Sequence, residues 1–120
     1  DDSIVRGTTC ARVVKLLRDA GAKEIHVRSS APAFLNPCYY GTDIGSKAEL
    51  IACKYTAKEM AALFGADSVG FLPLNATREL AKSGKCKGYC SACFDGKYPT
   101  EVPQHTGVNK YDCKISENKN

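Results

Sequence analysis

The chain has no tryptophan, one methionine and two histidines, His26 and His105. Neither histidine stands out as catalytic: His26 alternates on an expected strand and His105 lies in a polar tail, so both read as structural or exposed groups. No apolar run approaches the length that crosses a bilayer, and no secretory signal opens the chain. There is no long run of one charge sign either. The formal net charge is a mild +4. Lys82, Lys85, Lys87 and Lys97 gather near a cysteine-rich stretch, but nucleic-acid binding calls for a denser basic stripe with stacking aromatics. A solvated surface is the plainer reading. The opening Asp1-Asp2-Ser3 lacks a Met and enters a dense motif at once, which leads us to expect a piece of a longer protein.

What is present is enough for one modest domain: 120 residues, of which 43% are hydrophobic, can bury a core. Cysteine is the residue in excess. Its seven copies are an odd number, set beside amphipathic helices, which favours metal or cluster ligation over a disulfide framework. Asn75-Ala76-Thr77 matches a glycosylation acceptor, a pattern without meaning in the cytoplasmic protein we expect.

Along the chain, a polar loop over 1–9 leads into a helix from about Thr8 to Ala20. Val13, Val14, Leu16, Leu17 and Ala20 recur there at helical spacing, with Arg12, Lys15 and Asp19 facing away. Gly21 stops it. Residues 24–30 alternate as a strand, with Ile25 and Val27 opposite His26 and Arg28. Loop, helix, turn and strand make half of a βαβ unit, so a preceding strand is expected to end at Asp1. Residues 31–45, broken by Pro32 and Pro37, read as irregular. Two short helices follow, each with a capping box: Ser46 with Glu49, and Thr56 with Glu59. Gly65 ends the second, 68–72 reads as a short strand, and Asn75 caps a third helix reaching Lys82. The chain is turn-rich from Ser83. We divide it into a domain over 1–103 and a loose tail over 104–120.

Two stretches carry chemistry. In the first, Asp1-Asp2-Ser3-Ile4-Val5-Arg6-Gly7-Thr8-Thr9, a loop enters a helix whose free amides and dipole form an anion site. Gly7 lets the backbone approach closely, and the Ser3, Thr8 and Thr9 hydroxyls add donors. Asp1 and Asp2 would repel a phosphate unless they engage ribose hydroxyls or a hydrated Mg²⁺. The alternative is simply a capped helix whose acids favour the dipole. The second stretch is Cys90-Ser91-Ala92-Cys93. A lone CxxC serves equally as a redox pair, half of a zinc site or two ligands of an iron–sulfur cluster. Lying among turns, it favours ligation over thioredoxin-like redox work. Cys38, in Asn36-Pro37-Cys38-Tyr39-Tyr40-Gly41, is a further candidate. Cys10 reads as a helix-packing residue, Cys53 as a packed helix end, Cys86 as a possible substitute ligand and Cys113 as a bystander.

The opening nine residues resemble, almost letter for letter, the phosphoribosyl-pyrophosphate (PRPP) loop of type I phosphoribosyltransferases, in the version found in the glutamine PRPP amidotransferase family. The segments around Cys38 and around Gly88–Phe94 with Tyr98-Pro99 resemble motifs of the same family, and the match reaches to about Pro99. The resemblance implies an α/β fold: part of the type I phosphoribosyltransferase fold, a parallel sheet with helices, followed by a helical and cysteine-loop segment. It implies that Asp1 and Asp2 serve ribose and Mg²⁺, and that Ser3, Ile4, Val5, Arg6, Gly7, Thr8 and Thr9 hold the 5′-phosphate. Cys38, Cys90 and Cys93 would be three of the four thiolates of a 4Fe–4S cluster, the fourth coming from upstream. The implied reaction uses ammonia released from glutamine by an N-terminal glutaminase domain to displace pyrophosphate, giving phosphoribosylamine for purine synthesis. The implied whole is a cytoplasmic homo-oligomer without nucleic-acid or membrane partners, and this piece alone would be inactive. Two other classes stay open: a zinc module using Cys38, Cys86, Cys90 and Cys93, and a non-catalytic nucleotide-binding regulator.

Overall fold

The computed structural model describes residues 1–82 and 88–102. Cys86, Cys113, His105, Lys85, Lys87 and the expected tail over 104–120 lie outside the described residues.

Helix α1, Thr8–Asp19, follows the opening loop. Strand β1, His26–Ser29, pairs in parallel with strand β2, Ser68–Phe71, with Val27 opposite Val69. On the other edge of β1, the Asp1 nitrogen donates to the Arg28 carbonyl and the Asp1 carbonyl accepts from the Ser30 amide, each at 3.0 Å. Those two bonds form a parallel bridge opposite Ser29. Asp1 is therefore in strand register, and the ladder runs Asp1, β1, β2. Parallel neighbours need crossovers, and α1 supplies the first. Helix α2, Ala57–Phe64, lies in the second.

Two apolar clusters hold these parts. The first joins Ile4, Cys10, Val14, Ile25, Ile51, Met60 and Phe64, between α1, α2 and the sheet. The second joins Phe34, Ile44 and Leu50, with Val5, Ala31, Cys38, Cys93 and Phe94 packed on it. The C-terminal described segment folds back onto this second cluster. Cys93, on the one-turn helix α4 (Ala92–Asp95), accepts from the Leu35 and Asn36 amides through its carbonyl. The Phe34 and Phe94 rings meet at 5.0 Å, and the Tyr98 hydroxyl donates to the Pro37 carbonyl at 2.7 Å. Between them, helix α3, Leu74–Ala81, is tied to α4 by Arg78, which donates to Ser91 and Asp95.

Several expectations need correction. The apolar stripe of α1 is not all inward: Cys10 and Val14 are buried, while Val13, Leu16 and Leu17 are exposed. The helix meets its core along one narrow line, and the second apolar line lies exposed. The helix expected at Ser46 is a pair of 3-10 turns, Lys47–Glu49 and Ile51–Cys53, broken by the extended backbone of Leu50. Glu49 does not cap a backbone amide there; its carboxylate faces Arg6. By contrast, the capping box of Thr56 and Glu59 is complete. Helix α3 begins one residue before Asn75, because Pro73 takes the cap position and its carbonyl accepts from Thr77. Cys53 is exposed rather than packed, its thiol donating to the Leu35 carbonyl at 3.4 Å.

Asp67 sets the approach of α1 to the sheet. One carboxylate oxygen accepts from the Ile25 amide at 2.7 Å and from Arg18 at 2.6 Å. Arg18 also donates to the carbonyls of Ala22 and Lys23, closing the turn between α1 and β1. The Ile25 amide first, and Arg18 second, hold the Asp67 carboxyl below its ordinary 3.8. A carboxyl depressed in the folded state stabilises above its unfolded value and loses that contribution as pH falls through the folded one. Asp67→Asn is therefore expected to lower the thermal midpoint at pH 7. It should also flatten the decline in midpoint as the pH falls below about 4, read by circular dichroism across a pH series.

Candidate functional site

The loop before α1 begins where backbone conformation, not side-chain chemistry, opens a cavity. Gly7 is the N-cap of α1, with a left-handed φ of 81° and no side-chain cap. A Cβ at Gly7 would lie 2.6 Å from Ile51 Cδ1 and 2.9 Å from Phe64 Cε1. Only glycine meets both demands. The first helical bond runs from Ala11 to the Gly7 carbonyl, so the amides of Thr8, Thr9 and Cys10 precede the hydrogen-bond ladder. They head a 12-residue helix whose dipole favours an anion. A cavity of about 210 Å³ lies here, lined by Asp1 and by Ser3 through Cys10.

The loop residues divide by role. Ile4, only 2% exposed, is an anchor in the first core, and Val5 packs on the second. Both line the cavity as well. Arg6 lines the cavity, but its Nε and Nη2 both donate to Glu49. Thr8 and Thr9 are exposed at the helix head. The two acids fold back on the chain: Asp1 Oδ1 accepts from the Asp2 amide at 2.9 Å, and Asp2 Oδ1 from the Ser3 amide at 2.7 Å. Neither pairs with a Lys or Arg side chain among the described residues, so each keeps carboxylate oxygen free for a cation or a hydroxyl. Asp2 stands outside the cavity lining. Cys10, set down as a packing residue, is buried in the first core and lines the cavity too.

The cysteines far apart in sequence meet across a second cavity. Cys38, Cys90 and Cys93 line one space of about 360 Å³ with Tyr40, Thr42, Ala92, Tyr98 and Pro99. Burial pushes the Cys38 thiol up, but hydrogen bonds from the Tyr40, Thr42 and Gly41 backbone and from the Thr42 side chain outweigh it and hold the thiol below 9.0. Cys93 is pushed up, first by burial and then by the charges of Cys38 and Cys90. All five described cysteines are free thiols. Among the described residues no three His, Cys, Asp or Glu converge closely enough to hold a single metal ion. Thiolates that share one ion sit within van der Waals reach of each other. Those of a cubane cluster stand apart around a larger volume, and a roomy cavity with thiols on its walls fits that demand. Among the described residues, CxxC straddles the start of α4 and the element before it is the helix α3, which is unlike the thioredoxin arrangement.

Sequence reasoning missed the seat of Gly7 on Ile51 and Phe64, and the partnership of Glu49 with Arg6. Glu49 carried a signal, its spacing from Ser46, but that spacing pointed to a local backbone partner. The amides of 40–42 around Cys38 left no signal, because backbone donors have none.

No protein-family model matches the chain. Among curated proteins, amidophosphoribosyltransferase of Archaeoglobus fulgidus is 48% identical over 86% of this chain and 23% of its own length. Its namesake in Bacillus subtilis is 46% identical over 88% of this chain and 23% of its own length. Among solved structures, the glutamine PRPP amidotransferase from B. subtilis, complexed with ADP and GMP, superposes with a TM-score of 0.76 at 44% identity. It covers 87% of this chain and 24% of that one. A second, described as the allosteric regulatory enzyme of purine biosynthesis, gives 0.78 at 41% identity, over 98% of this chain and 26% of that one.

The parallel ladder, its crossover helices and the loop at the head of α1 define part of a type I phosphoribosyltransferase α/β fold, as these neighbours share it. More particularly, the chain belongs to the amidophosphoribosyltransferase family. It spans 23% of the length of the archaeal relative and of the B. subtilis relative.

Gly7 provides the direct check on the loop. Gly7→Ala incurs a left-handed backbone and a collision with Ile51 and Phe64. Together these should cost about 2–4 kcal/mol, measured by urea unfolding.

Proposed function

We propose that this chain is the part of an amidophosphoribosyltransferase that anchors the 5′-phosphate of PRPP and supplies three thiolates to a 4Fe–4S cluster. The observation that carries the reading is the cavity at α1, where the left-handed Gly7 leaves the amides of Thr8, Thr9 and Cys10 ahead of the helical ladder and Asp1 shares the lining, with Asp2 next to it in sequence. Phosphate suits the amides and the Ser3, Thr8 and Thr9 hydroxyls. Asp1 and Asp2, which no phosphate would choose as neighbours, suit the ribose hydroxyls and a hydrated Mg²⁺.

In the reaction, ammonia from glutamine attacks the anomeric carbon of the ribose. A C–N bond forms, the C–O bond to pyrophosphate breaks, and 5-phosphoribosylamine results, opening de novo purine biosynthesis in the cytoplasm. The chain's own contribution is alignment. Holding the far phosphate rigidly presents the anomeric carbon in one orientation, which lowers the entropic part of the barrier. Mg²⁺, when bound, neutralises charge on the departing pyrophosphate. A displacement with a good leaving group needs little proton transfer from the protein. Glutamine hydrolysis belongs to the glutaminase part of the family. The chain alone is proposed to be inactive, and the intact enzyme a homo-oligomer.

Cys38, Cys90 and Cys93 would hold the cluster, with a fourth thiolate from elsewhere in the intact protein. Backbone donors around Cys38 suit a bound thiolate.

Metal and acid-labile sulfide analysis of anaerobically purified chain, wild type beside Cys90→Ser, separates the readings. Iron and sulfide that fall away in the variant support the cluster assignment. Zinc in place of iron would sink it. For the phosphate loop, Asp1→Asn with Asp2→Asn should weaken Mg²⁺-dependent PRPP binding by about tenfold or more in calorimetric titration. Unchanged affinity would remove both acids from the site.

A further inference from the structure

We infer that Glu49 is a positioning residue for the phosphate loop, acting through Arg6, and that Arg6 is a strut rather than a phosphate ligand; this rests on the phosphate-loop reading above. Among the described residues, Arg6 is the only Lys or Arg in the lining of the first cavity, so the obvious assignment gives it to the phosphate. The geometry argues otherwise. Two of its guanidinium nitrogens, Nε at 2.7 Å and Nη2, grip the same carboxylate oxygen of Glu49. The other oxygen of Glu49 accepts from the Ser46 hydroxyl at 3.3 Å, and the Glu49 amide donates to the Ser46 carbonyl. The carboxylate is thus held on both sides.

The residues that follow complete a splint under the loop. Leu50, fully buried, plugs the second core. The Ile51 amide donates to the Val5 carbonyl at 2.9 Å, and the Ile51 side chain lies beneath Gly7. Glu49 and Ile51, on either side of the buried Leu50, therefore grip three consecutive loop residues, 5 to 7: the Glu49 side chain holds Arg6, the Ile51 amide holds Val5, and the Ile51 side chain lies under Gly7.

Electrostatics sharpens the point. A carboxylate beside an anion site weakens anion binding by Coulomb repulsion and by neutralising the local cation. If charge were the whole matter, removing Glu49 would strengthen phosphate binding. If Glu49 positions the loop, removing it weakens binding, because the amides of Thr8 and Thr9 lose their fixed aim. The two accounts differ in sign.

The test titrates the ¹⁵N-labelled chain with ribose 5-phosphate, following the Thr8, Thr9 and Cys10 amides, for wild type, Glu49→Gln, Arg6→Gln and the double variant. The expected result is an affinity about fivefold weaker in each single variant. The double variant should be no weaker than either single, since both break one contact. Arg6→Lys, which keeps the charge, should recover part of the loss. Without ligand, the heteronuclear NOE of residues 5–8 should drop in Glu49→Gln while core shifts stay in place. Equal or tighter binding by Glu49→Gln overturns the inference, as does an Arg6→Gln loss far larger than that of Glu49→Gln. Should wild type fail to bind while Glu49→Gln still loosens the loop, positioning stands and the phosphate-site reading falls. An unbound wild type with an unaltered loop in the variant overturns both.

Discussion

Two adjacent residues, Ile4 and Val5, carry the constraint on which both cavities depend. They sit in one short segment yet serve different cores: Ile4 is buried with Val14, Met60 and Phe64, while Val5 packs on Phe34, Ile44 and Leu50. Burying a side chain such as Ile4 is worth about 1.5–3 kcal/mol, and pinning both neighbours leaves the chain between Asp1 and Gly7 little freedom. With Asp1 bridged to Ser29 and Gly7 seated on Ile51 and Phe64, the loop is held at both ends and in the middle. The proposed anion site, made mainly of backbone amides, would need that, because amides cannot adjust as long side chains do.

The second core joins the two cavities. Val5 of the loop and Cys38 and Cys93 of the cysteine cavity pack on the same three buried residues, Phe34, Ile44 and Leu50. The cysteine cavity is in turn walled by a segment that has little regular structure of its own. Residues 88–102 are held by carbonyl, hydroxyl and ring contacts to 34–40, among them the T-shaped pair of Tyr39 and Tyr98 at 5.2 Å. Such a segment lacks the core of a separate domain, and ligands drawn from both sides of the contact would staple it down. That is a physical reason for thiols to lie at this seam.

Local patterns were readable wherever the cause of a structure lies within a few residues. The loop, helix and strand from Asp1 to Ser29, the capping box at Thr56, the stop at Gly65 and the strand at 68–71 all follow from spacing and turn chemistry. The 3-10 turns at 47–53 did not. A capping-box spacing was present, but Leu50 and Ile51 gain more by entering two different cores than by staying in one regular helix. Glu49 was thereby released to a partner 43 residues away. The exposed line of Val13, Leu16 and Leu17 misled for a similar reason, since periodicity reports which residues share a face and not whether anything covers it.

By itself, the sequence determined the residue types and short-range order of the site: the acids, hydroxyls and glycine of the loop, the CxxC, and the parallel βαβ sense of the chain. These are local properties, set by backbone preference and spacing. Only the tertiary structure decided that Cys38 meets Cys90 and Cys93, that Arg6 is bound to Glu49, and that Ile51 and Phe64 floor the loop beneath Gly7. Each of those contacts joins residues far apart along the chain, and none is encoded in either partner alone. They arise because two cores must be filled at once, and filling them leaves one arrangement of the segments between.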